Sequence, residues 1–544
     1  MAINSCNQTE IRRSGNYKPP IWEFDFVQSL SNEYLGERYV RRVSELKMQV
    51  KMMLDEAMEP LDQLELIDNL QRLGLSYHFE YEIKHILTKY RENHEPRNKN
   101  LYAAALEFRL LRQHGFNVSQ EIFDCFKNEK GDFKPSLSED SKGLVQLYEA
   151  SFLSTEDETT LEVAREFTIK HLQDQIVDQD FALLVQHALE LPLHRTIPRA
   201  EARWFINVYG KNSDMNPILL EFAKLDFNLV QATYQQELKQ VSRWWKRTCL
   251  AEKLPFARDR LVECFFCTIG GLFEPQHKLC RTILTKVMCL LTIIDDIYDV
   301  YGTLEELELF TCALERWDVN TIEQLPDYMQ ICYLAVINFI NEIAYDVLKG
   351  EGLLIIPYLR KVWTDICKAY LQEAKWYFNG YTPTLEEYME TARITISSHV
   401  IMSHAFFCVT NPIEKEAVEY LQKYPGVLHW LATILRLSDD LATSSDELER
   451  GDVSTSIQCY MNETGASEDE ARKHASFLIR EAWKKLNKDQ NVDSPFSQTF
   501  VGIAINFARM AHHLYEHGDG IGKQNPEIKN RMLKLLFEPI PLED

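Results

Sequence analysis

From Ile21 almost to the C-terminus, apolar residues recur at intervals of three and four, and runs of alternating β-branched residues are scarce. Such spacing lines one face of a helix, whereas a half-buried strand needs alternation in twos. Leu61, Leu64, Leu66, Ile67, Leu70 and Leu73 show the stripe, and Gly74 stops it. Stretches 104–111 and 141–152 read the same way. The chain is therefore predicted to be all-α. At 544 residues it is too long for a single core. A polar arm is expected over 1–20, ending in Pro19-Pro20. Pro192, Pro198, Gly210 and Pro217 then mark a boundary near 220, which divides an N-terminal helical domain, 21–223, from a C-terminal domain, 224–544. Longer helices are expected in the second part at 226–249, 258–275, 279–300, 327–349, 353–379, 386–409, 414–449 and 466–486.

Composition narrows the function classes. The net charge is −23 and no Lys/Arg block interrupts it, which disfavours nucleic acid as a partner. Ten of the 12 cysteines lie from Cys249 onward, mostly in helix-like apolar stretches, and read as free core thiols of a reducing compartment. Cys264-x-x-Cys267 has the spacing of half a zinc site, with no second pair to complete it. No stretch approaches the ~18 apolar residues expected of a membrane span. The N-terminus has no apolar core of the secretory kind. A cytosolic location is expected, or a plastid one if a transit peptide has been trimmed.

The chemistry is concentrated in two acidic clusters that each follow an apolar helix. Asp295-Asp296-Ile297-Tyr298-Asp299 comes directly after the run 287–294. Buried carboxylates are costly without positive compensation. On a helix, Asp295 and Asp299 share a face one turn apart, and two hard oxygen ligands there suit magnesium, with positions left for a phosphate. In the second cluster, Asp439, Thr443 and Glu447 fall at i, i+4 and i+8 and drift by only about 40° per step. Both clusters could instead be solvated acidic helix ends. Arg258, Arg260 and Arg436 lie close by in sequence, and guanidinium forks match phosphate oxygens; taken alone, the first two read better as ordinary helix-end surface charge.

These residues resemble the motifs of the plant class I terpene synthases, closest to the angiosperm monoterpene synthase group. Asp295–Asp299 matches the family's DDxxD, and Asp439–Glu447 matches its (N/D)Dxx(S/T)xxxE. Arg258-Asp259-Arg260 matches its RxR. Arg12-Arg13 and Trp22, with eight residues between, match its RR(x8)W. The resemblance covers essentially residues 12–544. The resemblance implies a C-terminal class I terpenoid synthase bundle and an N-terminal helical barrel-like domain without its own active site. No Asp-x-Asp-Asp motif supports protonation-initiated cyclisation.

The resemblance further implies an allylic diphosphate substrate, most simply geranyl diphosphate, and three Mg2+ ions, with Mn2+ as a substitute. The expected ligands are Asp295, Asp296, Asp299, Asp439, Thr443 and Glu447, and Arg258, Arg260 and Arg436 are expected to hold the diphosphate. Phe266, Cys267, Met288, Thr292, Ser397, Ser398 and Phe406 match cavity-wall positions, although core packing accounts for each equally. Cys267 departs from the family, which commonly has Trp there. Tyr515 and Asp519 match positions tied to late proton removal or loop closure, and Arg12 and Arg13 match a lid. A monomer is expected. Farnesyl diphosphate is the alternative substrate. A chain-elongating prenyltransferase would need an Asp where Thr443 stands, and a non-catalytic helical scaffold would not need both motifs.

Overall fold

The computed structural model of the chain describes residues 12–56, 59–92, 100–173, 179–450, 454–490, 494–516, 518, 520 and 525–542. Among them there is no strand, only an isolated bridge between Lys127 and Phe133. Helices Glu37–Asp55, Pro60–Arg72, Glu80–Glu92, Leu101–Gln113, Ser141–Ser151, Thr159–Leu172, Gln179–Glu190 and Pro198–Tyr209 form the N-terminal part. The C-terminal part is a bundle of longer helices. One continuous apolar core runs through both, from Trp22 to Ile540, with two smaller satellite clusters in the N-terminal part.

The 223/224 boundary falls inside one continuous helix, Pro217–Thr248. Pro217 takes the first helical position and the Asn216 side chain caps the Ile218 and Leu219 amides, so the nearest break is the connection over 210–216. Two long helices expected from periodicity are divided. Segment 386–409 becomes Leu385–Thr395 and Ser398–Val409, because Ser397 adopts φ 68° and breaks the ladder. Segment 414–449 becomes Lys415–Leu421 and Gly426–Arg450, around Pro425.

Helix Asp327–Glu351 corrects the reading on membrane spans: by length and composition it could cross a membrane, with a mean hydropathy of 1.5 over its most apolar window. Tolerated polar residues had masked it. Here Met329, Cys332, Tyr333, Val336 and Ile340 are buried in the bundle core. The cysteines of the described residues are free thiols, and Cys264 and Cys267 are both buried.

Close packing sets the position of helix Leu261–Gly271, which follows the Arg258–Arg260 segment. A Cβ on Gly270 would lie 2.3 Å from Met510 Sδ, and one on Gly271 would lie 2.7 Å from the Phe507 ring. Two side-chain-free positions therefore let this helix seat directly on Gln498–Tyr515. Behind it, Arg281 and Glu237 form a two-pronged ion pair at 2.8 Å for each bond, both fully buried, and Arg281 also donates to the Leu272 and Glu274 carbonyls. That clamp joins Lys278–Asp296 to helix Pro217–Thr248, which carries Glu237, and to the segment that follows Leu261–Gly271.

Candidate functional site

Lys278–Asp296 carries the first acidic cluster on a single open stripe. Between Val287 and Asp299 every residue is buried except Met288, Thr292, Asp295 and Asp299. They step by four, three and four residues, the spacing of one helix face. The face is apolar at Met288 and acidic at its end. The end itself is not α-helical: Ile297–Tyr301 forms one wider π turn, closed by Gly302 N–H to Ile297 O at 2.8 Å. π turns recur at functional sites, and here the wider turn lets Asp299 follow Asp295 as the helix ends.

Asp296 points elsewhere. It is fully buried, accepts the Arg258 backbone N–H at 2.7 Å and pairs with Arg258 Nε at 2.9 Å. It lies in a clamp with Arg258, away from the open stripe. The Arg258 guanidinium also pairs with Asp295, and stacks over the Tyr17 ring at 5.1 Å. Arg260 is 3 % exposed and donates to the Lys18 and Asp259 carbonyls.

The second cluster lies on Gly426–Arg450. Arg436 pairs with Asp439 and lies 3.6 Å from Asp440. Asp440 is buried, and accepts the Tyr388 hydroxyl at 2.9 Å and the Ser456 amide at 3.0 Å, which fixes the helix. Asp439 and Glu447 remain partly open, whereas the Thr443 hydroxyl is buried and donates to the Asp439 carbonyl at 3.0 Å. Burial, then the charges of Asp439 and Asp440, push the Glu447 carboxyl up to about 8.

Glu373, on helix Ile356–Asn379, is the residue the sequence reading missed. Thr395 Oγ1 donates to it at 2.9 Å. It stands where the two clusters meet: burial raises it to about 7, Arg436 opposes that, and Asp295 and Asp440 add to it. Its only sequence signal was an acid on an otherwise buried helix face. Asp299 is raised well above the carboxylate range, first by desolvation and then by Asp295 and Glu373. Its side chain nevertheless reaches solvent, so the acidic neighbours Asp295 and Glu373 are the cause that holds.

Around one cleft, then, carboxylates outnumber guanidiniums, and the surplus is expressed as raised carboxyls. A hard-oxygen set with unbalanced negative charge fits a divalent cation such as magnesium. Among the described residues no three acids, histidines or cysteines already converge on one point; Arg258 and Arg436 engage the carboxylates instead.

The N-terminal arm crosses the end of the acidic stripe. Arg12 grips Glu306 with two bonds of 2.7 and 2.8 Å, donates to the Tyr301 carbonyl, and lies over the Tyr301 and Tyr328 rings. Arg13 donates to the Asp299 carbonyl at 2.8 Å and covers the Tyr377 ring. The tandem arginines thus cap the carbonyl end of the π turn, where positive charge is favoured.

The expected cavity residues divide. Met288, Thr292 and Ser397 are partly open; Phe266, Cys267, Ser398 and Phe406 are buried. Phe406 packs edge-on against Phe496 and Phe500, an ordinary core contact. Burial pushes the Cys267 thiol well above its usual range. Tyr515 ends helix Gln498–Tyr515 and is partly buried; Asp519 lies outside the described residues.

Comparison with known proteins agrees with this geometry. Residues 21–189 match the model of the terpene synthase N-terminal domain, and residues 246–485 match that of the terpene synthase family metal-binding domain. A chloroplastic myrcene synthase from Quercus ilex is 57% identical over 98% of this chain and 90% of its own. A crystal structure of limonene synthase with 2-fluorolinalyl diphosphate superposes with a TM-score of 0.95 at 51% identity, covering 98% of this chain and 100% of that one. Isoprene synthase from grey poplar (Populus x canescens) leaves, in complex with three Mg2+ ions and dimethylallyl-S-thiolodiphosphate, superposes at 0.89 with 47% identity over 96% and 99% of the two chains. With both family domains in order around an acidic, arginine-flanked cleft that suits a divalent metal, the chain belongs to the terpene synthase family.

Proposed function

We propose that this chain converts geranyl diphosphate to a monoterpene and inorganic diphosphate, through an allylic cation. The observation that carries the reading is the single open stripe Met288, Thr292, Asp295, Asp299, which joins an apolar wall to a carboxylate end opposite Asp439 and Glu447. Asp295, Asp299, Asp439, Thr443 and Glu447 would hold three Mg2+ ions, with Glu373 between the two groups. When bound, the ions supply Lewis-acid neutralisation of the departing diphosphate; Mn2+ is an alternative ion. The poplar synthase, with its three Mg2+ ions, supports the number.

Arg258 and Arg436 each hold a carboxylate now, and each can turn its fork to phosphate oxygens, where charge develops as the C–O bond breaks. Asp296 fixes the Arg258 backbone, and Asp440, itself held by the Tyr388 hydroxyl and the Ser456 amide, lies 3.6 Å from the Arg436 guanidinium and keeps it on station. Arg260 acts through the arm. Met288 and Thr292 bound the hydrocarbon, and the docked Arg12 and Arg13 keep water from an otherwise open end. Cys267 stands where relatives commonly carry Trp, so one aromatic face for the cation is absent. Tyr515 stays a proposal as a late proton acceptor, as does Asp519. We place the functional boundary of the two domains at the helix that starts with Pro217, expect a monomer, and assign the protein to plastids, as the name of the myrcene synthase supports.

The test is incubation with geranyl diphosphate and farnesyl diphosphate separately, with Mg2+, and identification of the volatiles by gas chromatography and mass spectrometry. Ten-carbon products from the first substrate are expected. Fifteen-carbon products alone would replace this reading with a sesquiterpene synthase, and no diphosphate release from either would overturn it.

A further inference from the structure

Most buried arginines of this acidic chain have a carboxylate partner: Arg72 with Glu201, Arg109 with Asp68, Arg112 with Glu158, Arg199 with Asp226 and Arg281 with Glu237. Arg195 does not. It ends the short turn Leu193–Arg195 that leads into helix Pro198–Tyr209, and it is held between two rings, Phe152 at 5.1 Å and Trp483 at 5.6 Å. Its Nε is buried without an acceptor, and among the described residues the side chain has neither hydrogen bond nor ion pair. The side chain as a whole is half-buried, and a guanidinium nitrogen desolvated without an acceptor is unfavourable, because its lost hydration is not replaced.

Two more guanidiniums stand around it. Arg165, on helix Thr159–Leu172, lies over the same Phe152 ring at 4.3 Å and donates only to Ser151, through Oγ and the carbonyl oxygen. Arg480, on helix Glu468–Asp489, is exposed and makes no ion pair among the described residues. Tyr148 packs edge-on to Phe152 at 5.0 Å, with its hydroxyl facing Arg165 and Arg195. The acid beside Arg165, Glu162, is engaged with Lys484. Burial and then Arg165 bring the Arg195 guanidinium down to about 9, and burial lowers Arg165 as well. Among the described residues these like charges are gathered with no acid paired to any of the three.

We propose that Arg165, Arg195 and Arg480, with the Tyr148 hydroxyl, form a binding site for a small phosphate-type oxyanion at the junction of the N- and C-terminal parts, separate from the catalytic cleft. Guanidinium forks present donors only and can meet two oxygens of a phosphate-type anion at once, and the phenol O–H can donate one bond more. Phe152 and Trp483 hold the forks in place, so little side-chain freedom is lost on binding. Arg165 belongs to the N-terminal part and Arg480 to the C-terminal part, so the ion ties the two together and stabilises the folded chain. Inorganic phosphate and inorganic diphosphate share this chemistry.

The experiment uses the full chain without divalent metal, with each anion titrated calorimetrically against chloride at equal ionic strength. Saturable binding of one or both is expected, with the dissociation constant raised at least tenfold in Arg195→Gln and in Arg480→Gln and unchanged in Lys130→Gln, a surface control. Arg480 is exposed, so its replacement does not depend on refilling a buried site. Asp295→Ala is expected to leave the affinity unchanged. Absence of saturable binding, or an Arg480→Gln affinity equal to that of the parent chain, overturns the proposal. So does diphosphate binding that Asp295→Ala abolishes and Arg480→Gln preserves, since that places the ion in the cleft.

Discussion

Replacing Arg12 by Ala should release the N-terminal arm, and the size of the effect can be worked from its partner. Glu306 would be raised by its burial, but the two Arg12 bonds, the Thr303 amide at 3.1 Å and the Tyr328 hydroxyl at 2.9 Å bring it from 4.5 down to about 2. At ~1.4 kcal/mol for each tenfold, that displacement corresponds to roughly 3 kcal/mol of preference for the charged, docked form. A depressed carboxyl contributes fully above pH 4.5 and loses its contribution only as pH falls toward 2, so at pH 7 all of it is present. The side chains are 26 % and 16 % exposed, which leaves most of the coupling unscreened. Thr303 and Tyr328 remain in the variant, and we assign about 2 kcal/mol to Arg12, within the range of a charge-assisted pair. The open population of the arm should then rise about thirtyfold. Chymotryptic cleavage after Tyr17 reads that population, because the Tyr17 ring is covered by Arg258 in the docked arm. Cleavage no faster than in the parent chain would show that Arg12 does not hold the arm.

Asp295→Ala should abolish diphosphate release with the far-ultraviolet circular dichroism unchanged; turnover equal to the parent at saturating Mg2+ would refute the metal assignment. Glu237→Gln leaves Arg281, fully buried, without its carboxylate, and should cost about 3–5 kcal/mol, read as a lowered urea midpoint. A loss below about 1 kcal/mol would mean that the Leu272 and Glu274 carbonyls suffice. A maleimide should label the exposed Cys125 and Cys249 in the folded chain and spare Cys267, Cys332 and Cys367, whose thiols burial raises. Mass spectrometry after digestion checks this, and early labelling of Cys332 would contradict the packed core.

Where sequence reading reached its limit can be seen residue by residue. Periodicity located the helices but carried 386–409 through Ser397, because a left-handed turn at a serine leaves no mark on apolar spacing. DDIYD was read as plain helix; its last turn widens, and that depends on how Tyr298 and Gly302 pack. Asp296 looks equivalent to Asp295 in the motif. Its full burial against the Arg258 amide follows from a loop 38 positions away. Glu373 belongs to neither motif, and only the approach of three helices gives it a role.

By itself, the sequence determined the helical class, the order of the two acidic clusters and the residue types able to meet a metal and a diphosphate, because these depend on local spacing and side-chain chemistry. The tertiary structure alone decided which carboxylates face the cleft and which are spent on arginine clamps, and that Glu373 joins the two clusters. It also decided that the tandem arginines cap the π turn, and that Arg195 stands without a counter-charge among the described residues. These outcomes turn on contacts between residues far apart in the chain, where burial and neighbouring charge, rather than residue type, set what a side chain can do.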